Sequence, residues 1–212
     1  MSLNSSPLTQ ADTLWASGYE VYDRISPPFQ TFLSTLTTTF TQPEFAALAA
    51  KEGFAMYTAA RGSPHNSGSS LTASHPVVRT NPVTGWRSLF GAGRHATKIN
   101  GVAARESTLL LDWLTRLIVD NHDLQVRFRW LGRNDMAVWD ERCTFHSATL
   151  DYDDQGGERE GRRAVGVGER PYFDAASRSR RDALMEEELE LERLQKGEGE
   201  RKGELVEGGK SG

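Results

Sequence analysis

The sequence predicts one α+β domain, an antiparallel sheet covered by helices, on three observations. Apolar residues alternate with Arg127 and Arg129 over residues 126–130 (VRFRW), the period of a half-buried strand. A second strand-like run covers 144–150 and carries His146, with turn formers and a charged Asp140-Glu141-Arg142 between the two runs. Leu109, Leu110, Trp113, Leu114, Leu117 and Ile118 recur at helical spacing and mark an amphipathic helix. Read locally, 126–153 is a β meander with one histidine projecting from it. A histidine in a strand is most often a satisfied structural residue, and His146 stands out by its company, since Arg159, Arg162 and Arg163 follow on the same sheet.

From the start of the chain, Asp12-Thr13-Leu14-Trp15 reads as extended, and 19–25 as a helix entered through Ser17. Ser26-Pro27-Pro28 ends it, and Phe29, Phe32, Leu33 and Leu36 begin a second helical period. Pro43 suits the first turn of a third helix over 44–60, whose Phe45, Leu48 and Ala49 are expected to share a face packed on the sheet. Residues 61–74, rich in Gly, Ser, Asn and Pro, form a loop. A strand over 75–80, a turn over 81–85 and a returning strand over 86–90 make a hairpin. Asn100-Gly101 is a further turn. His122 follows the long helix near its C-terminus, where partial negative charge favours an imidazolium. From Ser177 the composition changes: 175–196 is a charged helix, solvated or loosely coiled, and 197–212, nearly without apolar residues, is expected to be disordered.

The chain has 212 residues, 37% hydrophobic and 25% charged, enough for one domain with a sizeable core. A formal net charge of −4 offers no basis for general binding to nucleic acid or acidic membranes. No run approaches the roughly 18 apolar residues of a membrane span, and the polar first ten residues lack a signal-peptide layout. The single cysteine, Cys143, excludes an internal disulfide framework and fits a reducing compartment, with the cytoplasm the expected location. Nearby arginines favour its thiolate, while the burial habit of free cysteine favours a small packed side chain.

Trp139-Asp140-x-Arg142, then His146, then Arg159-x-Gly161-x-Arg163 resembles the C-terminal half of the taurine dioxygenase family of iron(II)- and 2-oxoglutarate-dependent oxygenases. Asp12-Thr13-Leu14-Trp15-Ala16-Ser17 and His75-Pro76-Val77-Val78-Arg79-Thr80 look like two more of its signatures, and 168–174 (GERPYFD) is similar to fungal members. The resemblance implies a double-stranded β-helix (jelly-roll) core with flanking helices. Residues 1–174 would form its C-terminal part, without the N-terminal part of the family fold. It further implies His146 as a metal ligand for Fe(II), Thr13 and Arg159 as contacts to the 2-oxoglutarate cosubstrate, and Arg163 as the contact to the substrate's anion. No catalytic residue is implied beyond the metal site. An arginine suits both anionic tasks because its planar, permanently charged fork matches a carboxylate or sulfonate. The span from His146 to Arg159 is slightly longer than the family pattern, so Arg162 offers a competing register. The implied substrate is a small sulfonate or related acid, hydroxylated with release of succinate and CO2.

Such a site needs two histidines and a carboxylate on one face of the metal. None of the five histidines, His65, His75, His95, His122 and His146, is followed two places later by Asp or Glu. His75 and His95 are expected to be structural. Two readings follow: an N-terminally truncated oxygenase, or a non-catalytic remnant keeping an anion-binding scaffold. A truncated sheet would leave an edge that a homo-oligomer could cover.

Overall fold

The computed structural model describes residues 2–3, 12–132, 134–149 and 161–208, with side chains described for 12–132, 134–149 and 161–196. Among these described residues, ten short strands and five α-helices follow in the order β1 (Ser2–Leu3), β2 (Thr13–Ser17), α1 (Gly18–Asp23), α2 (Pro27–Ser34), β3 (Thr37–Thr41), α3 (Pro43–Glu52), β4 (Thr72–Pro76), β5 (Val78–Thr80), β6 (Arg87–Leu89), β7 (Ala96–Asn100), α4 (Ala104–Val119), β8 (Gln125–Phe128), β9 (Thr144–Ala148), β10 (Gly161–Arg162) and α5 (Arg180–Gly208). The strands make four small antiparallel groups, ordered β8-β2-β9, β4-β3-β7, β5-β6 and β1-β10.

The first group corrects the expected meander. β8 and β9 are not neighbours; β2 lies between them, Trp15 standing opposite Val126 on one side and His146 on the other. Alternation identifies a strand but carries nothing about its partner. The intervening loop is also too long for a tight hairpin: Asp135 ties its start by accepting the Leu131 and Gly132 N–H groups, each at 2.9 Å.

The expected 75–80 strand divides at Val77. β4 pairs with β3 and β5 pairs with β6, while the Val77 carbonyl accepts from Phe90 and Gly91 at 2.8 and 2.9 Å. Gly91 is required at this crossing, since a Cβ there would lie 2.7 Å from Val77 Cα and 2.4 Å from Thr38 Oγ1. β3 and β7 were not expected; in β3 the run Thr37-Thr38-Thr39 is β-branched, which suits a pleated surface, but gives no apolar alternation.

Helix boundaries follow their caps. Ser17 Oγ accepts from Glu20 N at 3.3 Å and starts α1, and Pro27 and Pro28 sit in the first turn of α2. α3 stops at Glu52 and not near residue 60, because Gly53 takes the left-handed conformation (φ 72°) that terminates helices. Only Ala49 of its expected apolar face is buried; Phe45 and Leu48 remain 48% and 46% exposed. α4 covers β7 with Leu114 and Ile118 in the core, and its Ser107 hydroxyl accepts from Ile99 N at 2.8 Å. The core gathers Val21, Tyr22, Leu33, Val78, Leu89 and Ile99 with Leu114.

α5 runs to Gly208, so 197–208, expected to be disordered, continue the helix; Glu, Lys and Arg are good helix formers even without a buried face. Its start is fixed by Arg181 N donating to the buried Asp23 carboxylate at 3.1 Å, and burial raises that carboxyl's pKa. No helix among the described residues is long and apolar enough to cross a membrane.

α1 begins against β6 at Gly18, whose N–H donates to the Cys143 carbonyl at 2.7 Å. A Cβ there would sit 2.4 Å from Ser88 Oγ and 2.9 Å from the Leu89 carbonyl oxygen. Gly18→Ala is therefore expected to cost roughly 1–3 kcal/mol by overpacking. Gly53→Ala has space and meets only the backbone penalty of positive φ, roughly 1 kcal/mol. Urea midpoints of the two variants check the order.

Candidate active-site face

Residues directly opposite one another in an antiparallel sheet share a face, as do alternate residues along a strand. Thr13 pairs with Phe128 and Ala148, and Trp15 pairs with Val126 and His146. The β8-β2-β9 register therefore places Thr13, Trp15, Phe128 and His146 on one face, with Thr13 and His146 diagonal neighbours. An aromatic chain runs across it. Ring centroids are 4.9 Å apart for Trp130 and Phe128, 5.7 Å for Phe128 and Trp15, 5.3 Å for Trp15 and Trp139, and 5.2 Å for Trp139 and His146.

At one end of this chain the buried Trp130 Nε1 donates to Thr13 Oγ1 at 3.0 Å. That contact occupies an acceptor position of the hydroxyl and leaves its proton available to donate, as a carboxylate ligand would require. Next to Thr13, the fully buried Asp12 accepts from Arg127 Nε at 2.6 Å.

At the other end, His146 Nδ1 is 3.6 Å from Glu141 Oε1, beyond hydrogen-bonding distance. Burial lowers the His146 pKa, Glu141 works to raise it, and Arg163 lowers it; the net direction is down. The imidazole is thus held neutral, the form that binds a metal. Arg163 Nη2 is ion-paired with the same Glu141 oxygen, and its guanidinium lies 5.6 Å from the Trp139 ring centroid. Of the residues singled out in the sequence, Thr13, His146 and Arg163 are thus brought together. Arg159 lies outside the described residues, and Arg162 belongs to β10, opposite Ser2.

Trp139 and Glu141 also line a cleft of about 1150 Å³ that opens beside His146. A charged web on that cleft was not anticipated. Arg79, 5% exposed, pairs with Glu169, which Arg142 also approaches at 3.7 Å. Arg142 Nη2 is 2.8 Å from Asp140 Oδ2, which accepts from Asn81 as well at 3.3 Å. The Arg142 hydrogen bond lowers the Asp140 pKa. Burial works to raise the Glu169 carboxyl, but hydrogen bonding and the charges of Arg79 and Arg142 hold it below its usual value. The signal was in the sequence: Arg79, Asp140, Arg142 and Glu169 fall in the quoted motifs and Asn81 in the turn after one of them, but these by themselves give no pairing.

His75 packs between Phe40 and Phe90, at 5.8 and 6.1 Å, and His95 Nδ1 is 3.3 Å from Glu44. Cys143 is half-buried, its Sγ 3.7 Å from the Asp140 carbonyl oxygen. Among the described residues no three His, Cys, Asp or Glu side chains converge to hold a metal ion. The described residues around His146 therefore do not make up a complete iron-binding face.

Burial lowers the pKa of both His75 and His146 from the ordinary 6.5. The folded chain then binds fewer protons than the unfolded one just below about pH 6.5. The stability these groups contribute is present above that pH and is lost as pH falls through the folded pKa values. Imidazole NMR titration in the presence of a chelator should find both groups titrating below free histidine. Glu141→Gln should move His146 further down, since it removes the one group that raises it.

Residues 2–165 match the family model described as taurine catabolism dioxygenase TauD, TfdA family. Over 177 residues the chain is 55% identical to the alpha-ketoglutarate-dependent dioxygenase btcD of Neocamarosporium betae, covering 83% of this chain and 50% of that protein. It is 52% identical over 182 residues to the alpha-ketoglutarate-dependent dioxygenase esdpJ of Penicillium shearii, covering 86% and 48%. A solved taurine dioxygenase from Burkholderia xenovorans superposes with a TM-score of 0.56 at 25% identity, covering 74% of this chain and 47% of that one. The chain spans about half the length of the curated relatives it matches. Its sequence from β1 to Val165 follows the family, and its fold follows a solved member: the chain belongs to the TauD/TfdA dioxygenase family.

Proposed function

We propose that this chain is the C-terminal part of an Fe(II)- and 2-oxoglutarate-dependent dioxygenase that hydroxylates a small sulfonate or related acid. The observation carrying this reading is that Thr13 and His146 share one face of a three-stranded sheet, with Arg163 meeting His146 across Glu141. His146 would be one metal ligand, neutral and packed at a tilt against Trp139. The Thr13 hydroxyl, oriented by Trp130, would donate to a 2-oxoglutarate carboxylate, and Arg159 would clamp the far carboxylate in a bidentate pair. Arg163 would hold the anionic group of the substrate.

The iron site does not fit within the described residues alone. One histidine gains none of the chelation that a three-ligand face supplies, so oxygen chemistry is proposed for a domain in which that face is completed. The β8-β2-β9 sheet would then be one wall of a jelly-roll core. A second reading, an anion-binding scaffold without catalysis, is favoured by the same lack of a three-ligand group.

Anaerobic titration with iron(II) and 2-oxoglutarate separates the two. The chain alone should give no metal-to-ligand charge-transfer band, and the same chain fused to a His-x-Asp-bearing family segment should give one. In the fused form Arg159→Ala should weaken 2-oxoglutarate by about 2 kcal/mol, roughly thirtyfold in Kd, while Arg163→Ala should spare 2-oxoglutarate and weaken the sulfonate. A saturable band from the chain alone, or an exchange of the two arginine effects, contradicts this assignment. Absence of a band from the fused form leaves the scaffold reading.

A further inference from the structure

Residues 163–169 close one side of the cleft beside His146, and their course is set at three points. At one end Arg163 is ion-paired with Glu141 and lies 5.6 Å from the Trp139 ring centroid. At the other end Glu169 uses both carboxylate oxygens. Its Oε1 pairs with Arg79, and its Oε2 lies 3.7 Å from Arg142 Nη1. Between the ends, Val167 fits the notch left by Gly62, where a Cβ would lie 2.7 Å from Val167 Cγ2. Among the described residues, 164–168 make no hydrogen bond. The stretch therefore takes its course from its attachments.

The three attachments differ in rigidity. Arg79 is buried on β5 and lies 5.1 Å from the Phe90 ring centroid, so Glu169 is fixed to the core of the hairpin. Gly62 belongs to a loop braced by Arg61, whose Nη1 donates to the Tyr57 and Gly68 carbonyls at 2.7 and 2.9 Å. Arg163 is the loose end. Its side chain is 41% exposed, and an ion pair so exposed contributes little by itself. Ordering a long side chain costs entropy, which falls if the backbone beneath it is already in place. A chain running from 163 to 169 spans at most about 20 Å, so fixing Val167 and Glu169 confines where Arg163 can stand. Gly166 and Gly168, with nothing near the place of a Cβ, give the stretch the freedom that makes such fixing necessary.

We propose that residues 164–168 are a strap along the cleft and that Glu169 is its anchor. Glu169 is thereby a positioning residue: it holds Arg163 over Trp139 and against Glu141 by fixing the far end of the strap on Arg79. The inference rests on the assignment of Arg163 to the substrate's anion made above. It goes further in naming the residues that aim Arg163, none of which meets the anion.

The test reads the indole N–H signals of the five tryptophans in the full 212-residue chain by heteronuclear NMR. Trp139 Nε1 donates at 3.3 Å to the Glu141 oxygen that also holds Arg163, and so reports on that pair; Trp113 on α4 is the control. Three glycines inserted after Gly166 add roughly 10 Å of reach and leave Glu169 on Arg79. The insertion is expected to move the Trp139 signal to the position it takes in Arg163→Ala and to leave Trp113 in place. Glu169→Gln should do the same, and Glu169→Asp, which keeps the charge, should return the signal part of the way. Neither the insertion nor Glu169→Gln should move Trp139 further in the Arg163→Ala chain. A Trp139 signal unmoved by the insertion overturns the inference. So does a further displacement by Glu169→Gln in the Arg163→Ala background, which marks a path through Arg142 and Asp140 instead of the strap. If Glu169→Gln unfolds the chain by stranding Arg79, the insertion decides alone, since it keeps that pair. Ethanesulfonate, titrated in the same spectra, should shift Trp139 in the unaltered chain and bind roughly two- to tenfold more weakly after the insertion. Displacement of Trp139 by the insertion, with no response to ethanesulfonate in the unaltered chain, brings down the assignment of Arg163 to the substrate's anion alone. Equal ethanesulfonate binding with and without the insertion brings down this inference alone.

Discussion

The constraint on which the rest depends is the insertion of β2 between β8 and β9. Thr13 and Phe128 are far apart in sequence, as are Trp15 and His146, yet both pairs are set by the two antiparallel ladders that β2 makes. Slipping either pairing by one residue would send Thr13 or His146 to the opposite face, because side chains alternate with a period of two. The register is held from several directions. Trp130 reaches back to Thr13, Arg127 reaches Asp12, and Gly18 ties the end of β2 to the Cys143 carbonyl just before β9. The aromatic chain from Trp130 to His146 then fills the face, so that each ring limits the rotamers of the next.

The second organising feature is the mooring of residues 169–178 on the β5-β6 hairpin. Arg79 holds Glu169, Thr80 N donates to the Tyr172 carbonyl at 2.9 Å, and Arg87 donates to Ser177 Oγ and the Ala175 carbonyl at 3.1 and 3.0 Å. A guanidinium as buried as Arg79 is tolerated only with a partner, so the ion pair is a condition of the hairpin's burial. Breaking it by removing Glu169 alone would leave that charge uncompensated. The same web joins Arg142 and Asp140 of the loop before β9, so the segment carrying Arg163 and the loop carrying Trp139 are held against one frame.

Much of this was legible in the sequence, for local reasons. β8 and β9 announced themselves by alternation, α1 by its Ser17 cap, α2 by its prolines, α4 by its apolar spacing and the β5-β6 hairpin by Asn81 to Gly85. The family motifs singled out Thr13, His146 and Arg163; the structure sets Thr13 and His146 on adjoining strands and Arg163 on Glu141. Partner choice was not legible, which is why the meander was misjudged and β2 was not expected in the centre. The threonine-rich β3 has no apolar period to read, and the stop at Gly53 depends on a backbone conformation that many glycines do not adopt. The Arg79–Glu169 pair joins residues some 90 positions apart, and no periodicity reports such a contact.

The central claim is that Thr13 and His146 act on one ligand because one sheet face carries both. Titration of the chain with 2-oxoglutarate, followed through the Thr13 methyl and the imidazole signals of all five histidines, tests it most directly. The account predicts that Thr13 and His146 shift together along a single saturation curve while His95 and His122 stay in place. Independent curves for Thr13 and His146, or shifts centred on His95 or His122, would contradict it.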